Sequence, residues 1–352
     1  MPPHSVGNLA EQSSRSSVIN AGNKPMAAQL DGHAPHTSVY NIPLSPRTFA
    51  GALALVTRID LLLVLLFPTF GGVMLAWWEM GHIDVPNTLF TLFTIAACLQ
   101  AIHLLAEYKD YKFSVAPEGK YVDERPFAGS SLLIRKLFLP HTVLGFSIIL
   151  FMLSTASLAW LVLLAGWPVL FFLGLTGLFY FLRMAPPSMH GYLAWGLGEL
   201  GCFIGIGLLQ LLNGYYVQSG VLSALPFYVG APAGLLAILT PFTHDLIYRR
   251  RDWISRKRTL AVTLGDRRSL NFSALVILAI YASFFVLVIV AAMPLTILIC
   301  LAALPIMVGG MKQMYDEQPA PAQRLLLYRA TIKGSAFTWL LFLLALWIDK
   351  AV

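Results

Sequence analysis

Charge is what this sequence has least of. Only 12% of its 352 residues are Asp, Glu, Lys or Arg, and 57% are hydrophobic. A soluble domain carries about 25% charged residues. The mean hydropathy of +0.72 agrees, and the shortage excludes a water-soluble globule: the solvent for much of the chain is lipid. Acid is scarcer than base, with 17 Asp and Glu against 24 Lys and Arg, a net charge of +7. In a soluble protein such an excess would suggest nucleic acid. Here no basic stripe stands outside the segments between apolar runs, so the excess reads as the loop bias of membrane proteins, with no nucleic-acid partner. Cysteine is almost lacking too. Cys98, Cys202 and Cys300 lie inside apolar runs with no metal-type spacing, which excludes a disulfide or zinc framework. Strand-type alternation and short-period repeats are also missing.

Apolar runs are what the chain has instead. They fall at about 61–78, 86–106, 138–156, 158–182, 192–217, 221–243, 271–292, 294–310 and 334–348. Each is near the roughly 20 residues a bilayer requires. The break between the third and fourth is the faintest. The reading is an all-α membrane protein of about nine transmembrane helices. Placing the N-terminus inside puts 23 of the 24 Lys and Arg in the inside segments 1–60, 107–137, 183–191, 244–270 and 311–333. Only Lys350 falls on the far side, at a helix end where it can snorkel. That asymmetry supports both the count and a cytoplasmic N-terminus. Residues 1–46, rich in Ser, Asn, Gly, Pro and His, read as a disordered polar tail. The tail has no signal-peptide pattern, and Arg15, Lys24 and Arg47 give little support to a transit peptide. Residues 47–352 form the membrane domain. Prolines such as Pro68, Pro168, Pro232 and Pro241 in or beside the spans fit a bundle whose neighbouring helices re-satisfy the backbone.

Two inside segments hold most of the polar chemistry. One begins Glu107-Tyr108-Lys109-Asp110-Tyr111-Lys112 and the other His244-Asp245, running through Arg249, Arg250 and Arg251 to Asp252. Glu107 and Asp110 are spaced i, i+3 and Asp245 and Asp252 i, i+7, so each pair shares one side of a helix end. Four carboxylates at the mouths of two helices suit Mg²⁺, which binds through few carboxylates plus substrate phosphates. Neighbouring Arg and Lys suit the rest of a diphosphate. The bland reading of the same residues is juxtamembrane charge in a solvated loop.

The run Glu107 to Tyr111, followed by Arg125-Pro126-Phe127-Ala128-Gly129-Ser130-Ser131, resembles the first Asp-rich motif of UbiA prenyltransferases and its loop. Asp245 to Asp252, followed by Lys257-Arg258-Thr259-Leu260-Ala261-Val262-Thr263-Leu264-Gly265, resembles the second, and its tail is the most specific piece. Arg58-Ile59-Asp60 with Pro68 and Gly71 looks like the family's first span. Tyr180, Ala185-Pro186-Pro187 and Gly196-Leu197-Gly198-Glu199 look like its fourth-to-fifth connection. The resemblance covers about 55–350.

It implies nine helices around a lipid-open central cavity. It implies that Mg²⁺ and an isoprenyl diphosphate are bound at the cytoplasmic mouth, and that the prenyl group passes to an aromatic or other lipophilic acceptor. Carried over, Glu107, Asp110, Asp245 and Asp252 are the catalytic metal-binding set. Arg58, Lys112, Arg125, Arg249 and Lys257 are substrate-binding, with Tyr180 as an aromatic face for an allylic cation. His103, four residues before Glu107, lines the acceptor pocket or makes an interhelical contact. Glu199 and Asn213 are intramembrane polar residues and so functional suspects.

The departures are Ala106 and Ser114, where the first motif usually carries Asn and a last Asp, and Tyr248, where the second carries a central Asp. No basic residue follows the Ala-Pro-Pro segment at the usual place. The main expectation is prenyl transfer. The first alternative is a UbiA-type terpene cyclase, in which the cation folds back on its own double bonds. The second is a non-catalytic transporter or lipid-binding protein.

Overall fold

Lipid offers the backbone no hydrogen bonds, so apolar runs of this length satisfy their own N–H and C=O groups as helices. The computed structural model describes residues 59–114, 133, 138–184, 196–254, 258–312, 314, 319 and 321–351. The tail expected over 1–46 lies outside them. The order is α1 (Ile59–Met80), α2 (Val85–Ser114), α3 (Pro140–Ala165), α4 (Pro168–Arg183), α5 (Leu197–Ser219), α6 (Leu225–Ile254), α7 (Leu260–Val290), α8 (Leu295–Lys312) and α9 (Pro321–Ala351). Among the described residues there is no strand. Eight of these helices are long and apolar enough to cross a membrane by length and composition; α4, with 16 residues, is the short one.

Several boundaries move from their expected places. The third span was expected to end near 156, but α3 runs on to Ala165. The break is made by Gly166, at φ +92°, and by Pro168 in the first turn of α4. Hydropathy does not dip there; backbone chemistry ends the helix. The polar segment after 243, read as a loop, instead continues α6 through Ile254, and α7 and α9 likewise extend well beyond their apolar stretches. Helical hydrogen bonding does not stop where hydrocarbon stops. The site residues therefore ride on rigid helical extensions.

α5 is the helix around which the others are set. Its middle, Cys202–Leu209, is π-helical. Its glycines let backbones approach closely, as small residues do in membrane packing. A Cβ on Gly207 would lie 2.2 Å from the Gly234 Cα of α6. One on Gly205 would lie 2.8 Å from the Phe179 Cβ of α4, and one on Gly214 2.0 Å from the Thr69 carbonyl oxygen of α1. α1 returns the contact: a Cβ on Gly72 would lie 2.0 Å from the Leu211 carbonyl oxygen. One apolar cluster fills the space among α1, α2, α4 and α5, including Leu65, Ile102 and Ile206. A second gathers Leu75, Leu239, Ile280 and Phe342 from α1, α6, α7 and α9.

α3 is the outlying helix. It is fastened to α2 by hydroxyls: Ser147 donates to the Ala101 carbonyl at 2.7 Å and Ser154 to the Thr94 carbonyl at 2.9 Å, while Ser157 and Thr94 share a 2.6 Å bond. Between α2, α3 and α4 lies an apolar groove of about 580 Å³, with Phe181 and Leu105 among its walls.

We expect Gly72→Ala to destabilise the fold by about 1–3 kcal/mol, because its methyl meets backbone that cannot step aside. Gly145, with nothing within 4 Å of its Cβ position, is the control: Gly145→Ala should leave thermal unfolding in detergent unchanged or slightly raised.

Candidate active site

Alternating helix directions bring the ends of α2, α4 and α6 and the starts of α5, α7 and α9 to one face. Contacts across that face show it. Lys109 near the end of α2 places its Nζ 5.6 Å from the Phe181 ring centroid at the end of α4. Arg183, the last residue of α4, bonds Asp245 on α6 and approaches Glu199 at the start of α5. Arg249 of α6 and Arg324 of α9 both reach Asp266 of α7. The opposite face is set by other pairs, among them Trp78 to Asp349 and Gln218 to the Asp84 backbone N–H.

Four carboxylates on the first face are buried, Glu199 at 4% exposure among them. Glu107 is 3% exposed, Asp245 4% and Asp252 0%. Carboxylates are almost never fully buried unless paired or bound to a cation. The i, i+7 spacing of Asp245 and Asp252 puts both on the inner side of α6, as expected. Glu107 shares its face of α2 with buried His103 and Gln100. Asp110 follows on the same helix, but its side chain lies outside the described residues, as do Arg58, Arg125 and Lys257. Among the described residues, no three Asp, Glu, His or Cys converge tightly enough to cage an ion by themselves. Mg²⁺ is a hard ion bound by few carboxylates and completed by phosphate oxygens and water. Glu107, Asp245 and Asp252 are hard oxygen donors of the kind that ion takes.

The remaining sequence candidates divide. Tyr180 is 4% exposed, one turn before Arg183 and within the apolar cluster of Leu65, Ile102, Ile206 and Ala237. That position gives an aromatic face just below the charged layer. Lys112 is exposed, and its Nζ lies 5.1 Å from the Tyr108 ring on its own helix. Arg249 is committed to Asp266 at 3.0 Å, in a cluster that Arg324 joins at 3.0 Å. Tyr248, at the usual place of an acid, packs its ring 4.7 Å from His244, whose other side meets Tyr328 of α9 at 5.4 Å.

The long motif after Asp252 now has a physical reading. Thr259 caps α7 by accepting the Val262 N–H at 3.3 Å, Ala261 is fully buried, and Gly265 takes φ +73° inside the helix. The break at Gly265 sets Asp266 between Arg249 and Arg324. Arg183, Asp266 and Arg324 were not among the sequence candidates. The signal for Arg183 was its position, the one basic residue between the fourth and fifth apolar runs; it was counted there only as loop charge.

Comparison with known proteins decides the family. The model of the UbiA prenyltransferase family matches residues 65–341. The chain belongs to that family. It is 26% identical over 285 residues to the 1,4-dihydroxy-2-naphthoate octaprenyltransferase of Escherichia coli (strain K12), covering 79% of this chain and 89% of that one. Its fold is similar to that of a UbiA homolog from Archaeoglobus fulgidus, solved bound to DMAPP and Mg²⁺. The TM-score is 0.58 at 13% identity, over 84% of this chain and 99% of the homolog. A digeranylgeranylglyceryl phosphate synthase structure aligns with a TM-score of 0.52 at 16% identity, over 82% and 97% of the two chains. This UbiA-type chain is thus a multi-pass integral membrane protein of prenyltransferase type.

The Gly265 break carries its own test. Gly265→Ala forces a side chain into the left-handed region and should cost about 1–2 kcal/mol. Thermal unfolding should also lose its salt sensitivity in this variant, because Asp266 leaves its two arginines.

Proposed function

We propose that this protein transfers an isoprenyl group from an isoprenyl diphosphate to a lipophilic aromatic acceptor, with Mg²⁺, at the face that carries Glu107, Asp245 and Asp252. The observation that carries the reading is the burial of these three carboxylates at the end of an otherwise apolar bundle, Asp245 among them paired with the buried Arg183 guanidinium. Burying that much charge is costly. Part of that cost is offset within the protein, as where Arg183 pairs with Asp245, and Mg²⁺ with a polyanionic ligand would offset more of it. The family and the naphthoate-prenylating relative support an aromatic acceptor.

Glu107, Asp110 and Asp252 would hold Mg²⁺, which when bound neutralises charge developing on the departing diphosphate. The helical extensions of α2 and α6 fix those carboxylates in place before substrate arrives, so little reorganisation is needed. Beneath them Tyr180 and its aliphatic neighbours exclude water and offer an aromatic face to a cationic prenyl carbon. The carbon–oxygen bond to diphosphate breaks, a bond to an electron-rich ring carbon forms, and the ring loses one proton. The excess of Lys and Arg in the segments at this face supports a cytoplasmic orientation for it and for the N-terminus.

The test is turnover by detergent-purified protein given Mg²⁺, isoprenyl diphosphates of graded length, and a hydroxynaphthoate or simpler phenolic acid. A prenylated aromatic product is expected, abolished by chelation. Asp252→Asn and Glu107→Gln should each lower kcat by about 10²–10³. A cyclic hydrocarbon formed without acceptor would overturn transfer in favour of cyclisation. Absence of diphosphate release with every donor would point instead to a non-catalytic lipid-binding role.

A further inference from the structure

Several hydroxyls buried in this bundle donate to backbone carbonyls. Thr176 donates to Gly205 at 2.9 Å, Thr243 to Leu239 at 2.9 Å and Thr338 to Gly334 at 2.8 Å. Thr240 of α6 and Ser335 of α9, 1% and 0% exposed, do otherwise. Among the described residues neither hydroxyl has a hydrogen-bond partner. A buried hydroxyl in that condition costs stability that a paired one does not. Both line one small cavity, enclosed by buried residues of α1, α5, α6 and α9. It has room for the centre of a single water, about 10 Å³.

Two more polar atoms belong to residues around this space. Proline has no N–H for the carbonyl one helical turn earlier. Pro68 stands inside α1 and Pro241 inside α6, so the carbonyls of Val64 and Ala237 lose their ordinary helical donors. Val64 and Ala237 both line the cavity. Leu65, Ile206 and Leu236 supply hydrocarbon to its walls. Two hydroxyls able to donate and two carbonyls able only to accept match one water, which accepts two hydrogen bonds and donates two. Among the described residues no carboxylate lines the space. A cation there would lie buried with no counter-charge beside it.

We propose that this cavity is a binding site for one ordered water, which accepts from Thr240 and Ser335 and donates to the carbonyls of Val64 and Ala237. The water supplies the two donors that the prolines take from the helices, one of the ways a membrane bundle tolerates proline. It ties the interrupted stretches of α1 and α6 to α9, at a place where neither hydroxyl reaches another helix directly.

The sign of a stability change tests the site. Thr240→Val keeps the shape of the side chain and removes only its hydroxyl. With water bound, Thr240→Val and Ser335→Ala each delete one of its bonds, and each should lower Tm in detergent by about 2–4 °C. In a dry cavity the same changes relieve an unpaired hydroxyl, so a Tm unchanged or raised in both variants would overturn the proposal. The parent protein gives a second reading that does not depend on how the variants fold. A crystal structure fine enough to show other ordered waters should place one within about 3.2 Å of both hydroxyls. Lack of density there would also overturn it. Replacing Na⁺ by choline in the buffer should leave Tm where it was. A Tm rise specific to Na⁺, and lost in Thr240→Val, would overturn the water in favour of a bound cation.

Discussion

Charge buried in a lipid-facing bundle must be answered by charge, and Arg183 is where this protein does so. Its guanidinium sits where α4, α5 and α6 meet and answers Asp245 and Glu199 together. Removing any one partner would strand the others in a medium that solvates them poorly. The inner ends of three helices are thus held in register by one side chain. α2 reaches the same corner through Lys109 over Phe181, which brings the Glu107 end of the bundle beside it. The neighbouring cluster of Asp266 with Arg249 and Arg324 repeats the principle for α6, α7 and α9. Both clusters use arginine, whose planar fork can serve more than one carboxylate.

This electrostatic layer depends on how closely the helices below it approach. The glycines of α5 remove side chains at each crossing with α1, α4 and α6, so the helices meet backbone to backbone. A helix spacing larger by even one methyl group would carry Arg183 away from Asp245. Packing and chemistry are therefore coupled along α5, which holds close backbone approaches from Gly205 to Gly214 and Glu199 at its start. The π-helical middle changes the angle at which successive side chains leave the helix, a feature frequent at functional sites.

Much of this was legible in the sequence. Nine apolar runs and the distribution of Lys and Arg gave the helix order, because lipid imposes a strict length and composition on anything that crosses it. The spacing of Asp245 and Asp252 placed both on one buried side of α6, since helical periodicity is local. The less legible parts were those set by distant residues. Hydropathy ended α3 near 156, but Gly166 and Pro168 decide the break. Arg183 looked like loop charge because its partners lie 16 and 62 residues further along the chain. Arg249 looked like a free clamp because nothing local shows that Gly265 turns Asp266 toward it.

The seam between α2 and α3 has a different consequence. Ser147 and Ser154 bond to carbonyl oxygens of α2, and a carbonyl is present whatever side chain its residue carries. The seam therefore reads the course of the α2 backbone and is largely indifferent to its sequence. Thr94 apart, whose own hydroxyl bonds Ser157, α2 is free to change the residues facing α3, within the limits of size, without losing its partner. The walls of the neighbouring groove can thus drift over generations while the carboxylates at the end of α2 stay where they are. A helix tied on in this way lets the protein alter what it touches in the bilayer at little risk to what it does at the mouth.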